Sequence, residues 1–363
     1  MITIKKHDFE DSSFLRTMIK IYEGCSALPL PAEWDALPAG IEDYMQAVYK
    51  AADQQLKVKK WEGSYTTRGD ARHNGRDLMV GFSGGKDSLA TALWGLEKGY
   101  DVTLFHVKGL NPSYPNEVNH AVTLAGELPA RLIIKQVKLT GRSDFMENPV
   151  KNQLILAAMI AWGYPQGIAN YALGDFWDDT LDKSNIICNL SDARELWLGI
   201  ESYLGDIYNP FSYKHIFNNY SETYLQILRT RPDLLEQVLG CMAPLRYRAG
   251  YRQHNESKYK LNLLPGRCGS CWKCCAEYLV LYKLCYEAPV YLMVNLLKLA
   301  TLKGYNFTDD AFRDKCIAYL RKVMPREKPF IKDPKALTGE QVAALFTPEP
   351  RHPENPVKKE GAI

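Results

Sequence analysis

The stretch Leu78-Met79-Val80-Gly81-Phe82-Ser83-Gly84-Gly85-Lys86-Asp87-Ser88 decides the fold of this 363-residue chain. Its apolar first half, Leu78–Phe82, predicts a buried strand, and the apolar spacing after Ser88 predicts a helix that begins at once. A strand that runs through a glycine turn into a helix N-terminus forms an anion site. The first N–H groups of the helix have no partner within it, and the helix dipole favours negative charge there.

The residues of this turn suit a polyphosphate. Gly84 and Gly85 let the backbone approach a ligand without a Cβ atom in the way. Lys86 adds a positive charge, and Ser83 and Ser88 add hydroxyl donors. The sequence therefore predicts that a polyphosphate binds between the strand and the helix.

The turn differs from the common nucleotide-binding loop, which needs a glycine, four residues and then Gly-Lys-Ser/Thr. Here Asp87 follows the Gly-Lys pair, and Val80 occupies the position of the first glycine. The six residues Ser83–Ser88 instead resemble the signature of the PP-loop ATP pyrophosphatases. This resemblance implies that the β- and γ-phosphates leave together as pyrophosphate, while AMP passes to a substrate oxygen.

Residues 77–174 alternate between strand and helix patterns. The predicted elements are strand Leu78–Phe82, helix Ser88–Lys98, strand Asp101–Val107, helix Glu117–Leu128, strand Leu132–Val137, helix Asn152–Trp162 and strand Ile168–Leu173. This alternation predicts an α/β fold with a doubly wound parallel sheet covered by helices. The resemblance adds that the sheet is Rossmann-like and of the PP-loop type.

Ligands of such sheets bind beyond the carboxyl ends of the strands, so the segments that follow the strands should line one crevice. These segments are Phe82–Ser88, His106–Gly109, Thr140–Asp144 and Gly174–Asp179. The residues expected to bind the nucleotide are Phe82, Ser83, Gly84, Gly85, Lys86, Asp87, Ser88, His106, Val107 and Gly174.

Composition and charge set bounds on the function. The chain is 46% hydrophobic and 24% charged, an ordinary globular balance. Its net charge of +3 is too small to argue for a nucleic-acid partner by itself. The first residues lack the apolar core of a signal peptide, and no stretch approaches the about 18 apolar residues of a membrane span. We expect a soluble, cytoplasmic protein with no membrane partner.

Four of the nine cysteines lie close together near residue 270, and such crowding in a reducing compartment suggests a metal rather than disulfides. Cys268, Cys271 and Cys274 have the Cys-x-x-Cys spacing that lets three thiolates face one ion. Tetrahedral zinc needs a fourth ligand, for which Cys241 is a better candidate than Cys285. An iron–sulfur cluster also fits four thiolates.

A PP-loop followed by this cysteine pattern resembles one branch of the family, the 7-cyano-7-deazaguanine synthases. The likeness covers roughly residues 77–285. It rests on the PP-loop, on Asn148–Asn152 with lysine in place of the family's arginine, on Leu173–Asp175, Asp192–Leu196 and Lys214, and on Cys241, Cys268, Cys271 and Cys274. In the family the lysine that corresponds to Lys214 begins a helix.

The resemblance implies an ATP-dependent carbon–nitrogen ligase. The family enzyme converts the carboxylate of 7-carboxy-7-deazaguanine into an acyl-adenylate. Ammonia then gives the amide, and a second ATP dehydrates the amide to the nitrile. The implied roles are charge stabilisation by Lys86, Mg²⁺ binding by Asp87 and Asp175 with Asp178 in reserve, phosphate or carboxylate binding by Arg194 and Lys214, and Zn²⁺ binding by the four cysteines. Turn capping also fits Asp175 and Asp178, and a surface ion pair also fits Arg194 and Lys214.

The chain has segments before and after the family-like part, so it is larger than a minimal synthase. The predicted divisions are an N-terminal helical extension at 1–76, the PP-loop domain at 77–240, a zinc-binding region at 241–285, a C-terminal helical extension at 286–346 and a disordered tail at 347–363. Within the first segment, Phe14–Tyr22 and Ile41–Leu56 have helical apolar spacing. The extensions could dock a protein partner, and they could block or replace the homodimer contact that family members often form.

Four functions fit these residues. The first is synthesis of a 7-amido- or 7-cyano-7-deazaguanine. The second keeps the adenylation but joins the deazaguanine to a protein amine in an antiviral defence system. The third is tRNA thiolation with sulfur chemistry at Cys274 or Cys275, and the fourth is a nucleotide-binding scaffold without catalysis.

Overall fold

A computed structural model of the chain describes residues 2–4, 13–25, 29–63, 68–69, 73–109, 117–139, 150–175, 194–217 and 220–238, with isolated positions at 250, 252–253, 256–257 and 267. The chain divides into two compact units, Met1–Leu239 and Gly240–Ile363. Nearly all described residues belong to the first unit. Apart from the isolated positions, the predicted zinc-binding region, C-terminal helical extension and tail lie outside the described residues.

The elements of the first unit follow in chain order. The strands are β1 (Ile2–Ile4), β2 (Leu37–Pro38), β3 (Trp61–Glu62), β4 (Arg68–Gly69), β5 (Asp77–Gly81), β6 (Asp101–Lys108), β7 (Arg131–Leu139), β8 (Asn170–Ala172), β9 (Tyr208–Asn209) and β10 (Ser212–Tyr213). The helices are α1 (Ser13–Gly24), α2 (Glu42–Ala51), α3 (Lys86–Glu97), α4 (Glu117–Ala125), α5 (Lys151–Gly163), α6 (Arg194–Ile207) and α7 (Tyr220–Thr230). Short 3-10 helices lie at Tyr164–Gln166 and Pro232–Gln237.

The main sheet of the described residues has the strand order β1-β7-β6-β5-β8-β10. Strands β7, β6, β5, β8 and β10 are parallel, and β1 pairs antiparallel with β7 at one edge. The chain passes from β5 to β6 and β7 and then returns to place β8 on the other side of β5. The order of strands therefore reverses between β5 and β8, and such a switch point is where α/β sheets of this kind bind ligands.

The parallel sheet predicted from the sequence is confirmed. The position of β5 in this sheet explains its continuous apolar sequence. Strand β5 pairs with β6 from Asp77 to Gly81, and with β8 from Leu78 to Val80. A strand with parallel neighbours on both sides is covered on both faces, so it needs a continuous apolar run rather than an alternating one. Leu78, Met79 and Val80 are accordingly fully buried.

Described residues between positions 14 and 61 share a hydrophobic core with the sheet. Helix α1 packs against α5, and α2 packs against α6. Phe14 of α1 is fully buried, with its ring centre 5.8 Å from that of Tyr203. The two predicted N-terminal helices are confirmed as α1 and α2, although α2 ends at Ala51, before the predicted Leu56. The segment 1–76 is not wholly helical, since it also contains the edge strand β1.

None of the described helices is both long enough and apolar enough to cross a membrane.

Two helical glycines lead to opposite predictions for stability. A Cβ atom at Gly95 of α3 would lie 2.7 Å from Leu78 Cδ2 and 3.0 Å from Val102 Cγ2, whereas one at Gly205 of α6 would meet nothing within 4 Å. Gly95→Ala should lower the free energy of unfolding by about 1–3 kcal/mol, because it overpacks α3 against the sheet. Gly205→Ala should raise it by about 0.5–1 kcal/mol, because alanine favours the helix.

Urea denaturation of the two variants measures these changes beside the unchanged protein. Equal effects of the two substitutions would contradict the close packing of α3 on β5 and β6.

Candidate functional site

The loop between β5 and α3 has the strand, glycine turn and helix that the sequence predicted. The Phe82 N–H donates to the Phe105 carbonyl at 2.8 Å, which extends the strand pairing by one residue. Gly84 has a φ of 76°, in the left-handed region that favours glycine, and extended Gly85 precedes the helix. Helix α3 begins at Lys86, two residues before the predicted start, so the turn itself is only three residues long.

The two serines of the signature brace the loop from inside. The Ser88 hydroxyl donates to the Gly85 carbonyl at 3.0 Å and accepts from the Ser83 N–H at 3.3 Å. The Ser83 hydroxyl accepts from the Gly85 N–H at 3.3 Å. These serines were expected to donate to a phosphate. These hydrogen bonds fix the backbone of the turn, and a phosphate contact of either hydroxyl stays a prediction.

Two neighbouring elements pack closely against the loop and the start of α3, and in each case a glycine makes the close contact possible. A Cβ atom at Gly84 would lie 3.1 Å from the Ala121 nitrogen on α4, so α4 covers one side of the turn. A Cβ atom at Gly174 would lie only 2.5 Å from the Ser88 nitrogen. The end of β8 therefore runs directly against the first turn of α3, and only glycine allows this approach. Gly84 is buried, while Gly85 and Asp87 are half-buried.

Lys86 turns its charge toward α7. The side chain is 4% exposed, and its Nζ contacts the Asp87 carboxylate. The same Nζ lies 3.5 Å from Thr223 Oγ1 and 5.3 Å from the centre of the Tyr224 ring, a cation–π distance. The ammonium thus lies in the contact between α3 and α7, and its predicted contact with a phosphate stays a prediction.

Asp175 follows β8 and is 6% exposed. The Tyr213 hydroxyl lies 3.0 Å from Asp175 Oδ1 and 2.9 Å from Oδ2, and it accepts from the Leu173 N–H at 3.2 Å. Burial, together with the nearby Asp175 charge, raises the pKa of Tyr213 well above its usual range, so the phenol stays protonated and donates. Because Asp175 directly follows Gly174, it lies next to the first turn of α3, which carries Asp87.

His106, at the end of β6, fixes the entrance to the loop. Its Nδ1 lies 2.8 Å from the Phe82 carbonyl, and the ring is 4% exposed. Since a carbonyl only accepts, Nδ1 carries the proton. Burial, and to a smaller extent the Lys108 charge, lowers the pKa of His106. Val107, which follows, is half-buried against the core.

The two predicted cationic residues lie on different elements. Arg194 is the first residue of α6. Lys214 is half-buried, and its N–H donates to the Tyr171 carbonyl at 2.8 Å. The resemblance implied that Lys214 begins a helix, which is wrong for this chain. Here it continues the parallel pairing of β10 with β8, and α7 begins only at Tyr220.

The predicted metal ligands Cys241, Cys268, Cys271 and Cys274 lie outside the described residues, as do Asp178 and Thr140–Asp144. Among the residues that are described, no group of three or more His, Cys, Asp or Glu side chains could hold a metal ion. The zinc site stays a prediction.

Sequence reasoning missed four residues around the loop: Tyr213, Thr223, Tyr224 and Glu117. The first three lie on elements far along the chain from the groups they contact, and no motif marks them. Glu117 is the first residue of α4, one turn before the contact of that helix with Gly84, and burial raises the pKa of its carboxyl to about 7. Glu117 begins the helix that follows the predicted crevice segment His106–Gly109, and this position in the sequence could have marked it as a residue near the loop.

Comparison with known proteins finds no family model and no curated sequence that matches this chain. The fold and the loop define the class: an α/β protein with a helix N-terminus at the switch point of a parallel sheet.

His106 should make stability depend on pH in a defined direction. Because burial lowers its pKa, the unfolded chain binds a proton below about pH 6.5 that the folded chain does not bind. The ring therefore stabilises the fold above that pH, and this stability is lost as the pH falls, by at most about 1.4 kcal/mol per pH unit. His106→Gln removes the titration and leaves a neutral polar side chain at the position.

Urea denaturation between pH 7.5 and 5 should therefore give a shallower pH dependence for His106→Gln than for the unchanged protein, since all other titrating groups are shared. Identical slopes would contradict a neutral, buried His106.

Proposed function

We propose that the chain binds ATP at the loop Ser83–Gly85 and the N-terminus of α3, and that it transfers AMP to a carboxylate with release of pyrophosphate. The observation that carries the proposal is the position of the loop. It joins the central strand β5 to α3 at the switch point, directly against Gly174 at the end of β8.

Binding of the phosphates is assigned to the backbone. The twelve-residue helix α3 offers its unpaired first N–H groups and the positive end of its dipole to an anion. The serine and His106 hydrogen bonds hold the turn in one shape before the ligand arrives. Donors that are fixed in advance need no reorganisation when charge develops on a leaving group.

Cleavage between the α- and β-phosphates is supported by the resemblance of Ser83–Ser88 to the PP-loop signature. Asp87 and Asp175 would hold Mg²⁺, which neutralises phosphate charge when bound and is commonly held by one or two carboxylates together with the phosphates. Both residues fit this task in chemistry, because they offer carboxylate oxygens. Their backbones also lie on the two sides of the contact between Gly174 and α3.

Lys86 receives a different role from the one expected. Its ammonium is buried beside Thr223 and Tyr224 and is paired with Asp87. We assign it to holding the Asp87 carboxylate, with α7 as its support. Arg194 and Lys214 are then the candidates that bind the carboxylate substrate.

The substrate class and the acceptor follow from the resemblance. A carboxylate is a poor electrophile, and adenylation gives it a leaving group that a nitrogen nucleophile can displace. We propose 7-carboxy-7-deazaguanine as the acid, with amide or nitrile formation as the outcome. The cysteine set Cys241, Cys268, Cys271 and Cys274 is proposed to hold a structural Zn²⁺.

Product analysis tests this function. The protein should convert ATP labelled at the γ-phosphate into pyrophosphate when Mg²⁺ and the deazaguanine acid are present, and ATP labelled at the α-phosphate into AMP when ammonia is added to displace it from the acyl-adenylate. Asp175→Asn should lower kcat/KM for ATP by about 100-fold, because it removes a charge beside the phosphates. Asp101→Asn, an exposed position at the amino end of β6, is the matched control and should leave the rate unchanged.

Formation of ADP and phosphate, or equal rates for the two variants, would contradict the proposed function.

A further inference from the structure

The carboxylate of Asp175 is held by a hydroxyl from a neighbouring strand. One phenolic proton of Tyr213 faces both carboxylate oxygens, at 3.0 and 2.9 Å, while the Leu173 N–H donates to the same hydroxyl at 3.2 Å. The hydroxyl therefore donates once and accepts once, and it ties the carboxylate to the backbone two residues before it. This arrangement fixes the direction of the carboxylate, not only its position.

The ring that carries this hydroxyl is fixed by aromatic contacts. Trp197 of α6 is fully buried, and its ring stacks on Tyr213 with centres 4.4 Å apart and an angle of 16°. The His215 ring lies 4.6 Å away at 63°, and His215 contacts the Glu201 carboxylate on α6. Tyr213 is thus held between the Trp197 ring, which belongs to α6, and the His215 ring, which contacts α6 through Glu201.

The backbone on both sides of Tyr213 is fixed as well. The Ser212 N–H donates to the Ala169 carbonyl at 2.9 Å, and the Lys214 N–H donates to the Tyr171 carbonyl at 2.8 Å. Strand β10 is therefore in register with β8, the strand that leads into Asp175. The distance from hydroxyl to carboxylate is set by the sheet itself and does not depend on a flexible loop.

We propose that Tyr213 is a positioning residue that aims the Asp175 carboxylate at the divalent cation bound with ATP. The inference rests on the proposed function and adds to it a residue that touches neither substrate nor cation. Tyr213 acts through Asp175, in the way that outer groups orient metal-binding carboxylates and set metal affinity.

The test is the Mg²⁺ dependence of AMP formation in Tyr213→Phe. This variant keeps the ring and its stacking on Trp197 and loses only the hydroxyl. The Mg²⁺ concentration needed for half-maximal rate should rise about 10-fold or more. The rate at saturating Mg²⁺ should return to within about threefold of the unchanged protein, because the Asp175 carboxylate itself is still present.

Tyr171→Phe is the matched control. It removes another buried tyrosine hydroxyl from the same sheet, one that donates to the Ile168 carbonyl at 2.7 Å. A loss that is merely structural would lower the stability of both variants without moving the Mg²⁺ dependence of either. Tyr213→Phe should also have no further effect on that dependence in an Asp175→Asn background, since it acts only through Asp175.

Direct cation binding gives a second readout that does not depend on turnover. Titration of Mn²⁺ into the protein with a non-hydrolysable ATP analogue should give a Kd about 10-fold higher for Tyr213→Phe than for the unchanged protein, and an unchanged Kd for Tyr171→Phe. Equal Kd values for Tyr213→Phe and the unchanged protein would contradict the positioning role.

The outcomes separate the two claims. If the unchanged protein forms no AMP and pyrophosphate, the proposed function fails. If it forms them, and the Mg²⁺ dependence is the same with or without the Tyr213 hydroxyl, the positioning role is wrong while the function stands.

Discussion

The contact between Gly174 and the first turn of α3 governs the arrangement of the site. The two backbones lie so close that a Cβ atom at position 174 would fall 2.5 Å from the Ser88 nitrogen. Because β5 and β8 are adjacent where the strand order reverses, this contact brings the end of one strand against the helix that follows the other. Asp175 follows this contact directly in the chain, and Asp87 lies in the helical turn on its other side.

The turn is held by hydrogen bonds from small side chains within it and from one histidine beside it, rather than by the packing of large side chains. Ser83 and Ser88 bond within the turn, and His106 holds the Phe82 carbonyl at its entrance. Lys86 places its ammonium between α3 and α7. In the proposed function, the phosphates are therefore stabilised by backbone N–H groups and a helix dipole, which have a fixed direction.

The sequence was sufficient to predict the parts of the fold that depend on local pattern. The buried run of β5, the glycine turn and the alternation through β8 were all predicted, with boundaries within about three residues. Helix α3 begins earlier than predicted, since extended Gly85 already ends the turn. The three-residue strand β1 was missed because its partner β7 lies far along the chain and so short a segment has no readable period.

The side-chain partners within the site could not be predicted. Tyr213 lies 38 positions from Asp175, and Thr223 lies 137 positions from Lys86, so only the folded chain brings these pairs together. A lysine after two glycines predicted a phosphate contact, but the position of its ammonium beside Thr223 and Tyr224 of α7 has no signal in the sequence. Spacing alone marked the four cysteines, and they lie outside the described residues.

Amide hydrogen exchange tests the central claim most directly. The protein is compared with and without Mg²⁺ and a non-hydrolysable ATP analogue at saturating concentration. The account predicts that exchange slows at the N–H groups between Ser83 and Ser88, where the phosphates would accept hydrogen bonds from the first turn of α3. Unchanged exchange in this segment, with protection at another part of the chain, would contradict it.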